Sequence, residues 1–181
     1  PLSWQNLYVQ GTINWDVRTG AGLISPGVIG DPDTAAFGNY NAVFQYQSLG
    51  QEVTKLVTPP LDLEFVVFPE LTFWHAQNVW ASNEELDRLK VYYKTSESAP
   101  WVLLAEYLNE TPEWTERVIP LPNGSPTYYI AFEGINGYGM GVCIDEIKIT
   151  ETGYVPRFVT KFQTKQASTE YVSTGSSNNL I

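Results

Sequence analysis

The sequence predicts an all-β chain, a sandwich or barrel of short strands, and three observations carry that prediction. Short alternations of apolar and polar residues recur between Gly, Pro and Asn, while no stretch holds a long 3.6-residue period. Aromatic residues make up 14 % of the chain and charged residues only 17 %, a profile suited to strands packing on a pleated surface rather than to helices or a disordered tail. The 43 % apolar share of 181 residues is enough for one domain with its own core.

In chain order, residues 4–9 and 15–18 read as short strands, and residues 19–39, rich in Gly, Pro and Asp, as mostly loop. Residues 41–47 alternate as a strand. In 54–63, T-K-L-V-T-P-P-L-D-L, two prolines place a bend or an edge between two strand pieces. Residues 70–76 put Leu71, Phe73 and His75 on one side. Residues 87–95 alternate most cleanly: Leu89, Val91 and Tyr93 face one way, and Arg88, Lys90, Tyr92 and Lys94 the other. Residues 101–107 fit a strand or a helical turn, and 114–121 a further strand. The turn P-N-G-S-P at 122–126 leads into a final pair, 128–133 and 142–150, joined by the glycine-rich 134–141. The domain is expected to span 1–153. Residues 154–181, polar and ending in S-T-G-S-S-N-N before the last two apolar residues, read as a linker or an extra edge segment, with Phe158 and Phe162 as the residues to dock back.

A formal charge of −10 argues against nucleic acid, which needs clustered Lys and Arg, and against an anionic membrane surface. It suits cations such as calcium, and equally suits solubility alone. No apolar run reaches the ~18 residues of a membrane span, so direct membrane insertion is not expected. Cys143, the single cysteine, reads as a small buried hydrophobe in an apolar strand.

Several pieces stand in an order that resembles the MAM domain and its bacterial relatives, the cleaved-adhesin and choice-of-anchor-J modules of Bacteroidetes surface proteins. They are L-V-T-P-P-L-D-L at 56–63, L-T-F-W at 71–74 and L-D-R-L-K-V-Y-Y at 86–93. Trp101 with Leu103 follows, then Trp114 with Val118 and Leu121, Y-Y-I-A-F-E-G at 128–134 and G-V-C-I-D-E-I-K-I at 141–149. Trp15 matches more loosely. The resemblance implies a two-sheet antiparallel β-sandwich, a jelly roll of the MAM or galactose-binding kind. It also implies a non-catalytic adhesion or carbohydrate-binding role on the bacterial cell surface or outside the cell, with a glycan or a surface protein as partner. The paired cysteines of animal MAM domains are missing, which favours the bacterial branch. A structural or assembly module of a larger envelope protein, or an accessory domain of a secreted hydrolase, is the alternative.

Strict alternation through 143–149 puts Asp145 on the face of Cys143, Ile147 and Ile149, where a carboxylate needs a metal, a Lys or Arg, or backbone N–H groups. The resemblance implies a structural calcium near Asp145 and Glu146; the other reading makes Asp145 a hydrogen-bond anchor for an early loop. Asp31 and Asp33, in G-D-P-D-T, are further oxygen ligands for calcium or simply a solvated turn. Among the six Trp, Trp101 and Trp114 fall on family core positions and are assigned to packing, and Trp74 is ambiguous. Trp80 at the head of a polar loop, and Tyr138 with Asn136 in the glycine-rich loop, are candidate ligand contacts, with ordinary packing as the alternative. The expected mechanism is a rigid sandwich that presents loops 19–39, 79–86 and 134–141 to the ligand. His75, the only histidine, has no partner set for zinc or catalysis and reads as structural. There is no G-x-S-x-G and no phosphate-binding glycine loop followed by a helix. A glycosidase would need two positioned carboxylates, and the spacing of Glu106, Glu133 and Asp145 predicts no such pair.

Overall fold

The computed structural model describes residues 3–45, 51–82, 84–151, 162–163 and 169–170. The chain divides into two compact units, Pro1–Glu151 and Thr152–Ile181. In the first, the strands are β1 (Gln5–Gln10), β2 (Asp16–Arg18), β3 (Leu23–Ser25), β4 (Val28–Ile29), β5 (Asn41–Phe44), β6 (Val53–Val57), β7 (Pro69–Gln77), β8 (Arg88–Lys94), β9 (Val102–Tyr107), β10 (Thr111–Pro120), β11 (Tyr129–Ile135) and β12 (Val142–Glu151). In the second, β13 (Phe162–Gln163) and β14 (Thr169–Glu170) pair antiparallel. Most of the linker predicted at 154–181, Phe158 included, and the end of the strand predicted at 41–47 lie outside the described residues. No helix occurs among the described residues.

Two five-stranded antiparallel sheets form the sandwich. Sheet I has the order β1-β6-β11-β8-β9, and sheet II the order β10-β7-β12-β5-β2. Period-2 patterning explains the faces. On β8, Leu89, Val91 and Tyr93 are buried and Arg88, Lys90, Tyr92 and Lys94 point away, as the sequence predicts. On β7, Leu71, Phe73, His75 and Gln77 turn inward. Phe73 sits edge-on to Phe132 at 5.1 Å and to Tyr107 at 6.1 Å, tying both sheets together. Each such fully buried side chain contributes about 1.5–3 kcal/mol relative to exposure. Trp15 joins the core and donates its indole N–H to the Thr54 carbonyl at 2.9 Å. Gly134 takes an inward position on β11, where a Cβ would lie 2.3 Å from the Phe44 ring; only hydrogen fits there.

His75 is fully buried beside Tyr107, with Nε2 3.0 Å from the Gln77 side-chain oxygen. Burial holds its pKa down to about 3, so it is a neutral structural imidazole. Cys143 is buried as expected, and burial pushes its thiol pKa up.

Two expectations need correction. Residues 19–39 are mostly loop, as expected, but part of the segment is packed down rather than presented to solvent. They contain the β3–β4 hairpin, and part of the segment lies on the outer face of sheet II over a small cluster of Ala21, Val43, Ala76 and Cys143. Trp114 packs on that cluster and donates its indole N–H to Thr34 O at 2.9 Å, and Phe37 meets Trp74 edge-on at 5.4 Å. Trp114 and Trp74 are therefore packing residues on the outside of a sheet.

The alternation through 143–149 also breaks. Register between β12 and β7 shifts between Asp145 and Lys148, and Glu146 adopts φ 48°. This β-bulge returns Ile147 and Ile149 to the core with Ile144, and leaves Asp145 on the side of Cys143, facing residues 19–39.

Candidate functional site

The sequence-predicted residues fall in three places. Trp80 and Tyr138 do come together, with ring centroids 6.4 Å apart and planes at 62°. Backbone hydrogen bonds hold both of their loops. Trp80 N–H donates to Glu85 O at 3.0 Å, and Val79 bridges Leu86. Asn136 N–H donates to Glu52 O at 2.8 Å. Asp87, fully buried, gathers the glycine-rich loop: its Oδ1 accepts Gly137 N–H at 2.7 Å, and the N–H groups of Gly139, Gly141 and Tyr138 bear on the same carboxyl. Burial pushes its pKa up to about 6 against the pull of those N–H groups. Sequence reasoning missed Asp87, whose only signal is an acid in the apolar alternation at the start of β8.

The four acids proposed for calcium do not form one ligand set. Asp145 accepts Phe37 N–H at 2.9 Å and Glu146 N–H at 2.8 Å, so it anchors an early loop through backbone groups. Glu146 pairs with Lys148. Asp31 accepts the Asn78 amide at 2.5 Å, and desolvation followed by the charges of Glu113 and Asp33 raises its pKa. No group of three or more acids, His or Cys placed to hold a metal exists among the described residues. These side chains do not fit a shared calcium.

The most developed surface lies on the outer face of sheet I. Strand register aligns Leu7, Lys55, Glu133, Lys90 and Glu106 in one row across all five strands. The next row is Gln5, Val57, Ala131, Tyr92 and Leu103. Beyond it Tyr129 pairs with Lys94. The small Ala131 between Val57 and Tyr92 makes a dip, flanked by a charged row on one side and aromatic residues on the other.

The charged row is tightly knit. Lys55 and Glu133 form an ion pair with each residue only 6 % exposed. Tyr92 donates its hydroxyl to Glu133 Oε1 at 3.1 Å, and Lys55 Nζ lies 4.5 Å above the Tyr92 ring. Desolvation, reinforced by the Glu133 charge, pushes the Tyr92 phenol up to about 12, so it remains a donor at neutral pH. Lys90 pairs with Glu106 at 2.8 Å. Glu106 and Glu133 are thus each committed to a lysine, and Asp145 lies on the other sheet.

On the aromatic side, Lys94 Nζ lies 4.8 Å from the ring centroids of both Trp101 and Tyr129 and donates to Glu97 O at 2.7 Å. A groove of about 380 Å³ runs here, lined by Gln5, Leu7, Val57, Lys94, Trp101 and Tyr129. Trp101 is therefore a groove residue, not the core residue expected from the resemblance. The alternation of 87–95 already placed Tyr92 and Lys94 outward; what it lacked was the register that brings Lys55, Glu133 and Tyr129 beside them.

The chain is thus a two-sheet antiparallel β-sandwich with a furrow on the outer face of sheet I. Among solved structures it is similar to the K1 cleaved adhesin domain of Lys-gingipain from Porphyromonas gingivalis W83, with 22 % identity, 84 % of this chain and 93 % of that one covered, and a TM-score of 0.59. The K3 cleaved adhesin domain of the same protein matches at 20 % identity, covering 83 % and 92 %, with a TM-score of 0.54. At these identities the likeness is one of fold, and it is the fold the sequence resemblance implied. No protein-family model matches the chain, and no curated protein matches it.

Proposed function

We propose that this chain is a non-catalytic, extracellular or cell-surface module that binds a glycan in the groove on the outer face of sheet I. The observation that carries the reading is the pairing of Trp101 and Tyr129 with a polar row across the same face. A sugar ring has apolar C–H faces that pack on aromatic rings and hydroxyls that need both donors and acceptors. The two aromatic rings supply the first; Lys94, Glu97 and Gln5 supply the second. The strands hold all of them in place, so little ordering is needed on binding. The cleaved-adhesin description of the K1 and K3 domains agrees with a surface-recognition role.

The test is a glycan array followed by calorimetric titration of the hits. Trp101→Ala and Tyr129→Ala each lower affinity roughly three- to tenfold, the equivalent of ~0.5–1.5 kcal/mol per lost ring contact. The Trp80–Tyr138 pair lies at the opposite end of β8 and β11. A hit that is weakened by Trp80→Ala or Tyr138→Ala, and unaffected by the two groove variants, would move the site to the loops and defeat this placement.

A further inference from the structure

A second, chemically different cleft opens where the β1 edge of sheet I meets sheet II. The β5–β12 ladder ends at the Ala42–Ile144 pair, and the β12 bulge begins at the next residue. The two strands diverge there and leave a cleft of about 360 Å³ at the edge where β1 and β2 border the sandwich. Its floor reaches the core at Leu56 and Ile144. Three aromatic residues line it, Trp4, Trp15 and Tyr40, and its charged lining residues, Asp16, Asp145 and Glu146, are all acidic.

That lining differs from the groove on sheet I. There, Lys94 stands between the Trp101 and Tyr129 rings; here, no lysine or arginine among the described residues lines the cleft. Asn41 commits its amide N–H groups to the carbonyls of Gly20 and Ala42, and Trp15 its indole N–H to Thr54, so these polar groups are not free to meet sugar hydroxyls. Arg18 and Lys148 lie outside the lining and form ion pairs with Asp16 and Glu146 in which at least one partner is well exposed, pairs of little net strength that exchange readily. Asp145 receives backbone N–H groups and has no cationic partner among the described residues. Trp4 and Tyr40 are 42 % and 66 % exposed, so the rings are reachable from solvent. Aromatic rings and carboxylates around an apolar floor, on a protein of net charge −10, favour a positive charge on an apolar body.

We propose that the cleft between the β1 edge and the β12 bulge binds an organic cation of the alkylammonium class, packed against Trp4 and Tyr40 and faced by Asp16, Asp145 and Glu146. This inference does not depend on the glycan reading, since it concerns other residues, on the core-facing side of the β1 edge rather than its outer side.

Choline and its neutral isostere 3,3-dimethylbutanol are the probes, titrated into the whole chain by calorimetry and by tryptophan fluorescence. Choline is expected to bind saturably, at least about tenfold tighter than the isostere. Trp4→Ala and Tyr40→Ala each weaken choline by several-fold. Tyr40 is largely exposed, so its variant keeps the test valid even if Trp4→Ala, which also loses the contact with Phe132, fails to fold. Equal binding of the two probes, no saturable choline binding, or choline affinity unchanged in Tyr40→Ala would each overturn the proposal.

Discussion

Glu133→Gln tests the charged row most directly. The substitution keeps the shape of the side chain and removes its charge. Lys55 would then be left 6 % exposed, with its ammonium above the Tyr92 ring and no carboxylate paired to it. Nearby Lys90 already has Glu106, so it adds a like charge without releasing an acid. Breaking one half of a buried ion pair costs about 3–5 kcal/mol, because the surviving charge stays desolvated. Lys55→Met alone should cost a similar amount. The double variant Lys55→Met/Glu133→Leu should return to within about 1 kcal/mol of the parent or exceed it, since neither desolvation penalty remains. With Glu133→Leu as the matching single variant, expected to cost as much as Glu133→Gln, the coupling in the double-mutant cycle is then at least ~5 kcal/mol. Urea unfolding followed by tryptophan fluorescence measures this, and an unchanged denaturant slope shows that stability rather than compactness moved. Single variants that lose less than about 1 kcal/mol, or a cycle that is additive, would refute the claim that the pair is buried and coupled.

Three further predictions use other parts of the fold. Gly134→Ala drives a methyl into the Phe44 ring and should cost about 1–3 kcal/mol, read as a lower urea midpoint; an unchanged midpoint would mean the sheets separate there easily. The raised pKa of Asp87 gives a defined pH dependence. Its stabilising contribution is fully present below its ordinary value of 3.8 and is lost as pH rises through about 6. The stability of the parent relative to Asp87→Asn should therefore fall by roughly 2 kcal/mol between pH 4 and pH 7, and a flat difference across that window would contradict it. Asp145→Ala should lower stability by about 1–3 kcal/mol through the lost Phe37 and Glu146 N–H contacts. The decrement should be the same in calcium as in excess EDTA; a drop seen only in calcium would assign Asp145 to a metal instead.

Much of the fold was legible because it depends on local periodicity. The outward set Arg88, Lys90, Tyr92 and Lys94, and the inward set Leu71, Phe73 and His75, follow from alternation alone. The bulge at Glu146 was not legible. A glutamate carries no local preference for positive φ, and one extra residue reverses every later facing in β12. The charged row was hidden for another reason. Lys55 and Glu133 are 78 positions apart, and only register between β6 and β11 makes them neighbours. The loop pair Trp80 and Tyr138 was found as two separate aromatic tips, and their meeting depends on Asp87, whose role is visible only once the glycine-rich loop is folded against it.

The segment across sheet II gives the sandwich two unlike outer faces. With Ala21, Phe37 and Thr34 engaged on that sheet, the β3–β4 hairpin stands on the side away from the furrowed face of sheet I. At its tip Gly27 has open space around it. A cysteine or peptide tag inserted there would tether the module to a sensor chip, a bead or a neighbouring domain in one orientation, with the outer face of sheet I directed outward. A tag at the Asn123 turn, next to the Ser125–Thr95 contact on the approach to Trp101, would place the tether beside the groove. Comparing ligand capture by the two immobilised forms would turn the one-sided build of the sandwich into a directly readable property.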